Sequence, residues 1–161
     1  YMVLALLAMN QSAPSSLLFY TAAYSISSIT AFVILLLISH KTGNDDIKSF
    51  NGLAKKNPFL AGVTVVAMLS LAGIPPTAGF FAKYYIFSAV MQNGYIGLVL
   101  LAILGSLIGV FYYFRVIIAV FKTEEETQEI KVNTLFRVLL VITSLAAIIL
   151  GIAPGILAGL I

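Results

Sequence analysis

Apolar positions dominate this chain, and they fall in long unbroken runs separated by short polar ones. Four runs are long: Leu17 to Ile38, Pro58 to Met91, Tyr95 to Phe121 and Leu135 to Ile161. A membrane-spanning helix needs ~20 mainly apolar residues. The runs are continuous and do not alternate with a period of two, so they predict helices and exclude barrel strands. Tyr1 to Met9 is apolar but short, and no charged leader precedes it. It is expected to be the back half of a span that starts upstream. The predicted spans are thus about 1–9 (partial), 14–38, 58–91 with a break at 73–78, 95–121 and 135–161. Asn10 to Pro14 and Gln92 to Gly94 read as short turns, with Pro14 near the start of the next helix. His40 to Asn57 and Lys122 to Thr134 are longer and polar, and read as solvated loops. Asp46 to Leu53, inside the first, could form a short amphipathic helix at the membrane interface.

Composition agrees with this picture. Of 161 residues, 61% are hydrophobic and only 9% charged, against ~25% charged in soluble domains. Lipid must cover most of such a surface. The fold class predicted is all-α: a polytopic transmembrane helix bundle with one proline-broken helix. Cysteine is absent, which rules out disulfides and thiolate metal sites. One His and six acids argue against a metal centre. There is no glycine-rich phosphate loop and no nucleophile constellation, and no nucleic-acid partner is expected.

Charge changes the picture by adding a direction. Eight of the nine Lys and Arg residues lie in or beside the two long loops: Lys41, Lys48, Lys55, Lys56, Arg115, Lys122, Lys131 and Arg137. The predicted spans put both loops on one face, while the short turns on the other face carry no positive charge. The positive-inside rule then makes the long loops cytoplasmic and the C-terminus external. Arg115 reads as a snorkelled anchor beside the aromatic run Tyr112-Tyr113-Phe114, and His40 as a loop residue.

The ninth cation, Lys83, lies inside the second run. That run holds 34 residues, ~51 Å as a straight helix against a hydrocarbon core of ~30 Å. Gly73-Ile74-Pro75-Pro76-Thr77-Ala78-Gly79 supplies a break. Pro75 and Pro76 remove two backbone donors and bias the residues before them away from helix, and Gly73 and Gly79 loosen the flanks. Non-helical backbone survives at membrane depth only where protein or water surrounds it, so the break is expected to face other helices. Lys83 follows Pro76 by seven residues, about two turns, on roughly the same face. A lysine at the bilayer centre costs ~2.5–3.5 kcal/mol on insertion scales. It could snorkel. It could instead be a proton relay, because desolvation favours the neutral amine and brings its two forms close in energy. Tyr24, Ser25, Ser27 and Ser28 form a weakly polar helix face. They fit ordinary helix contact or a water-filled path, with Tyr24 and Ser28 the candidates for the path. Gly105 and Gly109 read as close helix packing.

Two segments carry a family resemblance: Gly52-Leu53-Ala54-Lys55-Lys56-Asn57-Pro58, and Ser70 through Lys83 with its Gly-Ile-Pro-Pro-Thr-Ala-Gly core. Tyr112-Tyr113-Phe114-Arg115-Val116 adds a third. Together they resemble the antiporter-like membrane subunits of respiratory complex I, most closely the N-type (mitochondrial subunit 2-like) subunit of bacterial NADH:quinone oxidoreductase. The resemblance implies a fourteen-helix fold with inverted five-helix repeats, of which this chain would supply the end of helix ten through helix fourteen. It implies proton translocation driven by electron transfer from NADH to quinone, with Lys83 as the helix-twelve lysine. It places NADH, FMN, iron–sulfur clusters and quinone in other subunits and makes other membrane subunits of complex I the partners, in a bacterial inner membrane. Subunits of multi-component cation/proton antiporters share the ancestry and are the nearest alternative. A purely structural membrane scaffold, with Lys83 paired to an acid on a partner, is the other.

Overall fold

The computed structural model of the chain describes residues 1–8, 13–123 and 130–158. Among these all regular structure is helical: α1 (Met2–Ala8), α2 (Ala13–Thr42), a 3-10 turn (Ile47–Phe50), α3 (Leu53–Lys56), α4 (Pro58–Ala72), α5 (Ala78–Gln92), α6 (Ile96–Phe121), α7 (Thr134–Ile152) and α8 (Gly155–Ala158). Helices α2, α6 and α7 are each long and apolar enough to cross a membrane. Helices α4 and α5 are two half-length helices of 15 residues. Each is ~22 Å long, so a crossing needs both.

Several hydroxyl groups inside these apolar helices are satisfied locally, although the buried Ser144 hydroxyl of α7 has no hydrogen-bond partner among the described residues. Thr21, Ser27, Thr30 and Thr64 each donate to the carbonyl four residues back, at 2.7–2.9 Å. That leaves no bare polar group at those positions for lipid or core to desolvate.

Helix α2 is the central post, packed on α4, α5 and α7. Its first half meets α5 in a cluster built on Phe19, Tyr20, Ala23, Ala78, Ala82 and Ile86. Its second half meets α4 and the polar connections around Ile34, Ile38, Phe50, Leu53, Leu60 and Ile130. Midway along α2, the Ser27 hydroxyl lies 2.7 Å from that of Ser70 on α4. The junction of α4 and α5 therefore sits near half-height. Helix α6 is the outermost, with Leu100, Leu101, Leu104, Leu107, Ile108 and Phe111 exposed, as a lipid-facing or subunit-facing helix should be.

The described parts of both long polar connections lie at one end of the bundle. Asn57 joins them: its Oδ1 caps α4 by accepting from Leu60 N–H at 3.0 Å, and its Nδ2 donates to the Ile130 carbonyl at 2.7 Å. Pro58 occupies the first helical position, where a missing N–H costs nothing.

Three boundaries correct the sequence reading. Helix α7 does not run to Ile161. It stops at Ile152, because Pro154 has no N–H to donate and its ring opposes a continuing helix. Helix α2 runs past Ile38 to Thr42 and carries His40 and Lys41 in its last turn. The segment from Asp46 to Leu53 is not one amphipathic helix. It is a 3-10 turn and then α3, separated at Gly52 by left-handed backbone, and Phe50 and Leu53 are buried. The turn expected at 10–12 and the glutamates of the second loop lie outside the described residues.

Candidate functional site at the helix break

Helix α4 ends in a Schellman turn. Gly73 takes the left-handed conformation (φ +81°), and Ile74 N–H reaches back to the Leu69 carbonyl at 3.0 Å. The chain then passes through Pro75 and Pro76, joined by a cis peptide. Thr77 closes the loop by donating its Oγ1 hydrogen to the Ile74 carbonyl at 2.7 Å, and α5 starts at Ala78. The gap is 73–77, one residue shorter than the 73–78 expected from the sequence, because Ala78 already begins α5. It does not face helices on every side. Thr77 and Ala78 are buried and Pro76 and Thr77 pack against Gly151 of α7, but the Pro75 and Pro76 rings are exposed. The buried side carries the polar backbone, and apolar proline rings need no hydrogen-bond partner.

Gly79 makes the two half-helices touch. Its N–H donates to Ser70 Oγ at 3.3 Å, and a Cβ there would run into the Ser70 carbonyl. Ser70, Ser27 and Gly79 thus form a small polar seam where α2, α4 and α5 meet.

The Lys83 side chain folds back along α5 toward this seam. Its amine donates to the Ala72 carbonyl at 2.6 Å and to Ser106 Oγ on α6 at 3.0 Å. Ala72 is the last residue of α4, so its carbonyl has no partner within the helix and stands at the negative end of the helix dipole. A break that frees carbonyls and a cation that binds one are the same local event. The aliphatic tail lies over Gly73, where a Cβ would come within 2.8–3.0 Å of Cδ, Cε and Nζ. The amine also lies 5.7 Å from the centre of the Tyr1 ring, within cation–π range. It points toward the N-terminal end of α5, which lies at the break near half-height, and so away from the membrane faces, the opposite of snorkelling.

A cavity of about 500 Å³ opens beside the amine. It is lined by Lys83 and Ser106, the tyrosines Tyr1, Tyr20, Tyr24 and Tyr113, and Leu71 and Gly105 among others. Tyr20 and Tyr24 stack with ring centres 5.9 Å apart. Of the sequence candidates, then, Lys83, Gly73, Gly79 and Tyr24 come together. Ser28 does not line the cavity. The α2 hydroxyl that reaches the break is Ser27, one residue along and on the buried face. Sequence reasoning missed Ser106, Ser70, Tyr20 and Tyr113. Ser106 was legible as the single hydroxyl amid apolar residues between Gly105 and Gly109, but its stretch suggested only packing.

An apolar bundle in which one helix is broken at half-height, with a lysine held on the freed carbonyl, defines an integral membrane protein of the discontinuous-helix type, an architecture used by membrane transporters. The chain belongs to the transmembrane family of NADH:quinone oxidoreductase and Mrp antiporter proteins, which it matches over residues 1–109. It is 43% identical over 160 residues to NADH-quinone oxidoreductase subunit N of Cytophaga hutchinsonii, covering 98% of this chain and 35% of that protein. To the same subunit of Nitrosomonas europaea it is 41% identical over 162 residues, covering 99% and 34%. Among solved structures it is similar to a chain of respiratory complex I from Thermus thermophilus with bound aureothin, with TM-score 0.81 and 32% identity, covering 96% of this chain and 35% of that one. The chain spans about a third of the length of these relatives.

Proposed function

We propose that this chain is the C-terminal portion of an N-type subunit of NADH:quinone oxidoreductase, and that Lys83 passes protons between the membrane interior and one aqueous face. The observation that carries this reading is the Lys83 amine seated at half-height on the Ala72 carbonyl beside an open, tyrosine-lined cavity. An amine with acceptors can hold a proton, and a cavity roomy enough for water gives the proton somewhere to go. The seam makes the charged form tolerable and the apolar surroundings make the neutral form tolerable, which a relay group requires. The similarity to N subunits over nearly the whole chain supports this assignment over a cation/proton antiporter subunit.

In this reading the chain is a translocase part with no redox chemistry of its own. NADH, FMN, iron–sulfur clusters and quinone belong to other subunits of the complex, and its partners are the neighbouring membrane subunits, lipid, water and protons. It lies in a bacterial inner membrane with the two long loops cytoplasmic and α7 ending outside.

The test uses the full-length subunit assembled in the complex, in inverted membrane vesicles. Lys83→Met should leave assembly intact while NADH-driven proton uptake falls. Lys83→Arg should also impair uptake, because a guanidinium does not deprotonate. Full uptake by both variants, at unchanged protons per electron, would remove Lys83 from the relay.

A further inference from the structure

We propose that Ser106 is a positioning residue that holds the Lys83 amine in both of its protonation states; the inference rests on the relay reading of Lys83. The two protein acceptors of the amine are chemically unequal. The Ala72 carbonyl, at 2.6 Å, can only accept. The Ser106 hydroxyl, at 3.0 Å, can accept or donate.

An ammonium group has three N–H donors and no acceptor. While Lys83 is charged, Ser106 Oγ accepts one of its hydrogens. When Lys83 gives its proton to water, the nitrogen gains a lone pair and two N–H bonds remain. One still binds Ala72. The Ser106 hydroxyl can then rotate and donate its own hydrogen to the lone pair. No proton leaves the serine; only the direction of the bond reverses. The amine stays at the seam through the cycle instead of swinging into the cavity when neutral.

Position supports this role. Ser106 lines the 500 Å³ cavity together with Lys83, and it comes from α6, whereas the carbonyl comes from α4. The amine is thus held from two helices. The other titratable side chains that line the same cavity are all tyrosines: Tyr1 just before α1, Tyr20 and Tyr24 from α2, and Tyr113 from α6. Among the described residues no carboxylate lines the cavity to compete with Ser106 for the amine.

The experiment measures NADH-driven proton uptake against pH in vesicles bearing the assembled complex, with electron transfer recorded in parallel. Four variants are compared: Ser106→Ala, Ser106→Thr, Lys83→Met and the double variant Ser106→Ala/Lys83→Met. Alanine favours helix, and the helix of Ser106→Ala should fold normally. Its uptake should fall by about tenfold, the worth of a charge-assisted hydrogen bond, and its pH profile should move, by up to roughly one unit, because the bond to the charged amine is stronger than the one to the neutral amine and the two losses do not cancel. Ser106→Thr keeps the hydroxyl, has the cavity for its methyl, and should restore both rate and profile. The double variant should be no worse than Lys83→Met alone, since the serine acts through the lysine.

Full uptake by Lys83→Met would overturn the relay reading and this inference with it. Loss of uptake in Lys83→Met with a normal rate and profile in Ser106→Ala would overturn the inference alone. So would an unshifted pH profile in Ser106→Ala, or a further loss on adding Ser106→Ala to Lys83→Met, because either is the mark of a packing defect.

Discussion

Gly73 and Gly94 share nearly the same left-handed backbone, φ +81° and +83°, in opposite surroundings. Around Gly94 a Cβ would meet nothing within 4 Å, while at Gly73 it would meet the end of Lys83. Alanine at either site carries the left-handed penalty, about 1–2 kcal/mol. Gly73→Ala must in addition push the amine off the Ala72 carbonyl. Assembled complex should therefore fall similarly in the two variants, but proton uptake per electron should fall in Gly73→Ala only. Equal ratios in both would mean that the contact with Lys83 does not matter. At this scale the sequence told much. Lys83 stands out because no other charge lies so far inside an apolar run, and the break because two prolines cannot sit in mid-helix. The partners of Lys83 were not legible. Ser106 is 23 residues away, and nothing in the period of α6 says which of its faces turns to α5.

At the scale of elements, the two half-helices are held by close approach more than by side-chain bulk. Gly79 and Gly62 make the contrast. A Cβ on Gly79 would strike the backbone carbonyl of Ser70, which cannot yield without moving α4, whereas one on Gly62 would meet open space. Gly79→Ala should destabilise the subunit by ~1–3 kcal/mol, the usual cost of overpacking. Gly62→Ala should be neutral or stabilise by up to ~1 kcal/mol through helix propensity. Thermal unfolding of the detergent-solubilised complex, followed through loss of this subunit, would rank the two, and a reversed order would sink the seam as described. Helix existence was readable from the runs, but helix ends were read less well. The run to Ile161 is apolar throughout, so hydropathy counts Ala153-Pro154-Gly155 as span although the missing N–H of Pro154 stops α7. The segment after Asp46 failed in the other direction. Its polarity suggested solvent, yet Phe50 and Leu53 anchor it in the core.

At the scale of the whole molecule, the bond from Asn57 to Ile130 fixes the described parts of both long connections at one end, as the grouping of lysines and arginines suggested. The chain has no cysteine, so single cysteines can report topology. Lys48→Cys and Thr123→Cys should react with a membrane-impermeant thiol reagent from the cytoplasmic side, and Asn93→Cys from the outside only. Labelling of Asn93→Cys from the same side as Lys48→Cys would refute the arrangement. The half-height placement of the seam, set by the Ser27–Ser70 contact, reaches further still. A site there lies inside the electric field of the energised membrane. Moving one charge through the whole membrane is worth ~2.3 kcal/mol per 100 mV, so a proton travelling from either face to the seam crosses roughly half of that. On the relay reading proposed for Lys83, a voltage across the membrane would act back on the lysine at about 1 kcal/mol per 100 mV, weighing on proton arrival on one side and departure on the other in nearly equal shares.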